Sequence, residues 1–430
     1  MTYQHTIEAP APAGANRASD ELMAPSILVQ VFSWAAFLFF AGALTHPLGV
    51  GSNDEASGLF VAIAAAFYCG AGLLLLHGNY RQRFFHYVRS NPAMLLGLAI
   101  MLVSCIWSIE PDRTLRRSVA VVGTSLAGVL IGLAYSRYGF VRFIRSNLAV
   151  FVILSVLLAL FVPSLGTHTE EKAGLWRGLM SSKNQMAWIA ALFLIFWLSS
   201  TSRKTLGNAL FLLTLASGAL LLFKAGSVTG MLAALIGLFF LVFLSQYATR
   251  HKVRHPMLVV GLLGLAVLTI LWQSAVDTSL ELVGRSSTLT GRTTIWLAMW
   301  PFIEDRIWLG YGYSAFWSDP VRFFGPDNWM SGMIHSHSAY VEVLIDLGVV
   351  GLAIQGAFIA GLVVRLWKLV GDGDPQGPPL LAALLTLLMI GLVGVLFFRP
   401  NAGTWLMIVA FSAYATERRR LSRQPGDLPT

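Results

Sequence analysis

Charge is scarce in this chain. Asp, Glu, Lys and Arg make up only 12% of its 430 residues, against roughly 25% in a soluble domain. That scarcity excludes an ordinary soluble globular protein. Cysteine is scarcer still: Cys69 and Cys105 are the only two, and they carry no information about redox compartment. Both fall in apolar runs and read as buried packing residues. No HExxH pattern occurs, and no basic segment leads directly into a short apolar core as a cleavable signal would require. Ala41-Gly42-Ala43 imitates a cleavage site, but it ends a long apolar span that reads as an uncleaved anchor.

What is abundant is apolar sequence. Hydrophobic residues reach 56% and the mean hydropathy is +0.68. A bilayer crossing needs about 20 apolar residues, and twelve runs qualify: about 27–45, 58–76, 93–108, 118–135, 147–165, 184–200, 207–223, 229–245, 257–275, 339–364, 379–397 and 403–416. Spans must be helical, because an open sheet cannot satisfy its backbone in lipid. The expected architecture is therefore all-α and polytopic, with residues 1–24 a Pro- and Ala-rich disordered tail, 25–416 one membrane domain and 417–430 a second tail. One large loop, 275–338, precedes the tenth helix. The apolar pattern contains no inverted repeat.

The net charge of +9 and pI near 9.8 could point to nucleic acid, but scattered Lys and Arg in short loops fit the positive-inside rule better. With both ends inside, cytoplasmic segments hold 18 of the 30 basic residues and the opposite side 12. This predicts cytoplasmic termini and an extracytoplasmic large loop. The outer cations cluster beside polar motifs, against the topological preference, which suggests anion binding; snorkelling to lipid phosphates is the plainer reading.

Four places can carry chemistry. At the end of the third span, Arg113, Arg116 and Arg117 follow the Pro111-Asp112 turn, on the first turns of a helix whose N-terminus favours anions. As structure alone this is a solvated turn with a cap. In Trp176–Ala187, Arg177, Lys183 and Asn184 can hold phosphate or sugar hydroxyls, or simply anchor the interface. Lys224, in the tight turn before Ser227, can cap the preceding helix or reach a phosphate. The large loop carries an amphipathic, Trp-rich segment from Gly291-Arg292, then Gly310-Tyr311-Gly312, then His335 and His337 at the mouth of a span with Tyr340, Glu342 and Asp346. The two acids are four apart, on one helix face. Two histidines and two acids also suit zinc, but the missing Cys ligands and HExxH speak against a metal.

The motifs WSIEPDRTLRRS, WRGLMSSKNQMA, GSVTG, GRTTIW…GYG and HSHSAYVEVLIDLG occur in the order seen in the O-antigen ligase and polysaccharide polymerase superfamily. The resemblance covers roughly residues 90–355 and is nearest to the exopolysaccharide-polymerase branch. It implies a GT-C-like helical fold and metal-independent transfer of a glycan from an undecaprenyl-diphosphate carrier to an acceptor sugar, without a cofactor. It implies His337 as general base or acceptor-positioning group and Arg292 as the cation on the departing diphosphate. Lys224 is a looser match, with Arg177, Lys183, Asn184, Arg113, Arg116, His335 and Tyr340 as substrate-binding candidates. Ser338 replaces the family's Asn after the histidine, and Ser227-Val228-Thr229 lacks a central basic residue.

The expected setting is the bacterial inner membrane, with the active site periplasmic. Expected partners are a lipid-linked oligosaccharide, a growing glycan or lipid A core acceptor, the bilayer and other polysaccharide-assembly proteins, with no nucleic acid. A ligase acting on lipid A core is the rival within the class. A transporter or flippase is the rival outside it, and would favour mid-membrane charges and matching halves.

Overall fold

The computed structural model describes residues 24–43, 57–169, 173–199, 207–249 and 292–423. The expected ninth span, most of the expected tails and the first part of the large loop, including Gly291, lie outside them. Among the described residues the chain is helical, with a single isolated β-bridge between Thr167 and Trp176. Its main helices are α1 (Ile27–Phe40), α2 (Gly58–Leu76), α3 (Gly78–Ser90), α4 (Pro92–Val103), α5 (Pro111–Ala134), α6 (Phe140–Phe161), α7 (Lys183–Leu198), α8 (Asn208–Lys224), α9 (Val228–Thr249), α10 (Arg292–Asp305), α11 (Ala339–Gly371), α12 (Gly377–Gly391) and α13 (Gly403–Ser422).

Five of these, α2, α5, α6, α9 and α11, are long and apolar enough to cross a membrane, and α3 with α4 makes a sixth candidate bent by 84°. The chain is a multi-pass membrane protein by this measure. The remaining expected spans, apart from the ninth, each overlie a shorter apolar helix or α13. The 84° bend is a departure from the sequence reading, which treats residues 77–92 as a loop. No Gly or Pro interrupts residues 79–90, so a helix forms there. Pro92 then sits in the first turn of α4, and Asn91 before it leaves the α region at φ −130°, ψ 57°, as a residue preceding proline must.

The centre of the bundle is α7, α12 and α13, largely buried; α7 and α12 are apolar along most of their length, as expected of helices surrounded by other helices, whereas α13 ends in Glu417 and three arginines. α13 lies along α5. A Cβ at Gly132 would stand 2.3 Å from the Ala410 carbonyl oxygen, so these two backbones touch, as small residues allow in membrane bundles. α2 stands at the edge, with Leu73 and Val61 facing outward. Cys69 is exposed on this same peripheral helix and Cys105 is half-buried, which corrects their expected burial: an outer membrane helix turns apolar residues outward, so hydropathy does not report burial there.

At 1.5 Å per residue, the 16 residues of α7 and 15 of α12 span about 22–24 Å, short of the ~30 Å hydrocarbon core. Non-helical segments, 173–182 and 392–402, complete them at one end. That end holds the candidate site.

Candidate functional site

α11 is broken near its start. Gly348 adopts φ 66°, ψ −167° inside the helix, a conformation open to glycine and strained for other residues. The break is filled by residues 307–312 of the large loop. Tyr311 N–H donates to the Ile345 carbonyl (3.0 Å) and Gly312 N–H to that of Asp346 (2.9 Å), while Val349 N–H donates to the Ile307 carbonyl (2.8 Å). Backbone groups freed by the break are thus satisfied by another segment, as burial demands. A Cβ on Gly348 would meet the Trp308 carbonyl at 2.2 Å, so the approach requires glycine.

The same loop segment is gripped from the other side by the residues around Pro111. Ile109 N–H donates to the Tyr311 carbonyl (3.1 Å), Thr114 Oγ1 to that of Tyr313 (2.9 Å) and Arg113 Nε to that of Ser314 (3.0 Å). Tyr313 N–H donates to Ser104 Oγ (3.1 Å). The first and fourth sequence motifs therefore bind one another, and Arg113 is held by a carbonyl, which orients its guanidinium without cancelling the charge.

Beside this junction lies a cavity of about 1580 Å³ with two unlike walls. One carries Arg113, Arg116, Arg117, Arg177, Arg399 and His335. The other is apolar: Phe60, Val61, Ala64 and Ala65 of α2 face Leu115, Val119 and Ala120 of α5. Val61, Leu115 and Val119 are each about half exposed, so the apolar wall is reachable from the flank of the bundle. Three helices direct their N-termini here: α5 through its arginines, α7 through Ser182 and Gln185, and α13 through Gly403 and Thr404. Helix N-termini and guanidinium groups both favour an anion.

The histidine loop is tied down from three directions. Trp296 Nε1–H of α10 donates to the Ser336 carbonyl (3.0 Å), and Ser336 N–H donates to Glu342 Oε2 (2.8 Å). Ser338 caps α11, its hydroxyl accepting from Val341 N–H; Ser and Asn are comparable caps, so the departure from the family's Asn keeps this job. His337 takes a left-handed φ of 59°, which costs of order 1 kcal/mol for a residue with a side chain and concentrates at functional sites. Its N–H donates to His335 Nδ1 (3.3 Å), and the two rings meet edge to face at 4.2 Å.

The structure gathers some expected site residues and separates others. Arg113, Arg116, Arg177 and His335 line the cavity, and His337 stands directly against His335. Arg177 donates to the carbonyls of Leu165 (3.0 Å) and Ser164 (3.3 Å). Lys183 reaches the Gly226 carbonyl with Nζ (3.1 Å), bracing the turn after α8. Lys224 ends α8, exposed, and Asn184 opens α7; neither is among the cavity-lining residues. Tyr340 gives its hydroxyl to the Leu388 carbonyl (2.9 Å). Arg292 is 8% exposed at the start of α10, among neither wall's residues, and burial lowers its pKa.

Sequence reasoning passed over Arg399 as a site residue and singled out Arg117 only with Arg113 and Arg116, not among the substrate-binding candidates. Arg117 belongs to a motif already singled out. The signal for Arg399 is a basic residue followed by Pro400 and Asn401 between two apolar runs, easily taken for an ordinary interface anchor.

Two comparisons with known proteins bear on this geometry. Residues 209–356 match the family described as O-Antigen ligase, a stretch that ends within α11 just after the histidine loop and the helix break. The chain is also 24% identical over 389 residues to the exopolysaccharide production protein ExoQ of Rhizobium meliloti (strain 1021), covering 85% of this chain and 86% of that one. The ordered motifs, the helical membrane fold and these two likenesses make the chain similar to the O-antigen ligase family and, over most of its length, to an exopolysaccharide production protein.

Proposed function

We propose that this protein is a polysaccharide polymerase of the bacterial inner membrane. In this reading it crosses the bilayer twelve times, with both termini cytoplasmic, and moves a glycan from an undecaprenyl-diphosphate carrier to an acceptor sugar on the periplasmic side. The observation that carries this reading is the cavity with one cationic and one apolar wall. An amphiphile with a diphosphate head and an isoprenoid tail has that same division, and the apolar wall is open to the flank where lipid would lie.

The chemistry follows from the residues. The bond between the anomeric carbon and the diphosphate oxygen breaks, and the negative charge left on undecaprenyl diphosphate is stabilised by the guanidinium groups of Arg113, Arg116, Arg117, Arg177 and Arg399. Fixed charges aimed at a developing anion in a poorly hydrated site lower the barrier most. The acceptor oxygen forms the new bond, and its proton passes to the imidazole pair. His337, matched to the family's histidine, is the base; His335, on the wall, orients the hydroxyl. An imidazole with an ordinary pKa near ~6.5 is available as a base at neutral pH.

Purified protein incubated with lipid-linked repeats alone should build a ladder of longer glycans. A product that forms only when lipid A core is added would identify a ligase, and carrier movement across vesicles without bond formation would identify a transporter. His337→Ala should reduce polymer by about 100-fold or more at normal protein level; full activity in that variant would remove the histidine from the mechanism.

A further inference from the structure

A smaller recess of about 40 Å³ adjoins the large cavity. The two share Arg113, Arg117, Ile334, Val395, Arg399 and Pro400, so the same side chains border both. The recess differs in kind from the cavity: it also carries Glu342 and Asp346. Asp346 is 4% exposed, and its Oδ1 is buried with no hydrogen-bond partner among the described residues. A buried carboxylate oxygen left unsatisfied is costly, and the backbone on either side of it is fixed by the loop segment filling the helix break.

The chemistry of this end selects its occupant. Here Glu342 and Asp346 offset most of the charge of Arg113, Arg117 and Arg399, and the orphaned carboxylate oxygen requires a donor, which an ionised phosphate oxygen is not. A hydroxyl is such a donor. One water-sized probe occupies roughly 10–15 Å³ of such volume, so the recess holds about three hydroxyl-sized positions. That is room for one edge of a sugar ring and its hydroxymethyl group, not for the whole ring or a diphosphate.

We propose that Asp346 binds a hydroxyl of the acceptor glycan, so that the arginine-lined cavity takes the departing diphosphate and the recess that adds the two carboxylates takes the incoming sugar. Glu342 has a separate part: by accepting from Ser336 N–H it holds the histidine loop against the mouth of this recess. The word acceptor here rests on the transferase reading above; the binding of a neutral sugar hydroxyl by Asp346 does not.

The test measures two ligands separately on the full-length protein in nanodiscs: undecaprenyl diphosphate, and the neutral oligosaccharide repeat released by mild acid from the native lipid-linked pool. Asp346→Asn should weaken the oligosaccharide by about tenfold, the scale of one hydrogen bond to a charged group, and leave undecaprenyl diphosphate within twofold. Val343→Leu, which narrows the recess without touching a charge at a residue that does not line the large cavity, should do the same. Wild-type protein that fails to bind the oligosaccharide, or unchanged oligosaccharide affinity in both variants, overturns the proposal and leaves Asp346 with a water molecule only. Should Asp346→Asn lose both ligands together, Val343→Leu decides: selective loss of the oligosaccharide supports the proposal, any other result overturns it. Wild-type protein that binds both ligands yet transfers nothing would instead remove the polymerase reading and leave this one standing.

Discussion

The two ends of α5 and α13 use the same side chain in opposite ways. At the end remote from the cavity, arginines meet carboxylates: Arg83 Nε lies 2.8 Å from Glu417 Oε1, Arg420 Nη2 lies 2.7 Å from that same oxygen, and Arg418 Nη2 lies 2.9 Å from Asp374 Oδ2. Arg83 also donates to Ser136 Oγ at 2.7 Å. There, positive charge is neutralised and staples α3, α13 and the turn before α12. At the cavity end, 24 residues of α5 away, Arg113 and Arg177 donate to backbone carbonyls. These fix direction, and the five arginines of this end outnumber the acids Glu342 and Asp346 beside them. One end pairs its arginines closely with carboxylates; the other sets an excess of arginines along an open volume.

That contrast can be broken experimentally. The largest effect is expected at Arg117: replacing it with Ala should lower transfer by about 100–1000-fold, the scale of one lost charge-stabilising donor, with thermal stability close to wild type. Arg117→Lys should recover little, because a point charge does not reproduce a planar fork. Glu417→Ala should behave in the reverse sense. Its side chain is 1% exposed, and its removal leaves two guanidinium groups without their carboxylate, so destabilisation of about 3 kcal/mol is expected, with activity per folded molecule retained. Gly132→Leu would drive a side chain into the α13 backbone and should cost about 1–3 kcal/mol by overpacking, read as a lower melting temperature in detergent. Lys224→Ala is the mildest: since the side chain lies off the cavity wall, transfer should stay within about twofold of wild type. A loss as large as that of Arg117→Ala would show that α8 closes over the substrate.

The division between the two ends was only partly legible beforehand. Apolar runs and the scarcity of charge were sufficient to predict an all-helical membrane chain, because lipid leaves a single-chain segment few ways to satisfy its backbone. The clustering of Arg113, Arg116 and Arg177 beside polar motifs was a fair guide to the cavity. Arg83 and Glu417, 334 residues apart, gave no such signal, since nothing local pairs residues at that distance. Arg292 and Lys224 show the converse: each stood beside a plausible motif, yet neither position along the chain nor residue type tells which way a helix end turns. Ser338 was marked as a departure and proves a competent cap.

The helix of residues 78–90 shows a further limit. Hydropathy assigns a polar stretch to a loop, but Tyr80 to Ser90 lacks a breaker, and Arg83 has a buried carboxylate to reach. Likewise, Gly348 looked like an ordinary glycine at the end of a motif. Its purpose is visible only with Trp308 beside it, because the break is filled by a segment whose residues lie some forty positions earlier.

Taken alone, the order of residues determined that this chain is helical and apolar, roughly where its helices begin and end, and which short polar motifs interrupt them. Those are properties of neighbours in sequence: side-chain transfer energy, capping and proline sterics. Which arginines meet carboxylates closely and which border a cavity, which histidine stands on its wall, and that a recess carrying two carboxylates adjoins the cationic cavity were decided by the tertiary structure. Each depends on segments far apart in the chain approaching within a few ångströms, and hydrogen bonding and charge act over that distance, not over position in the sequence.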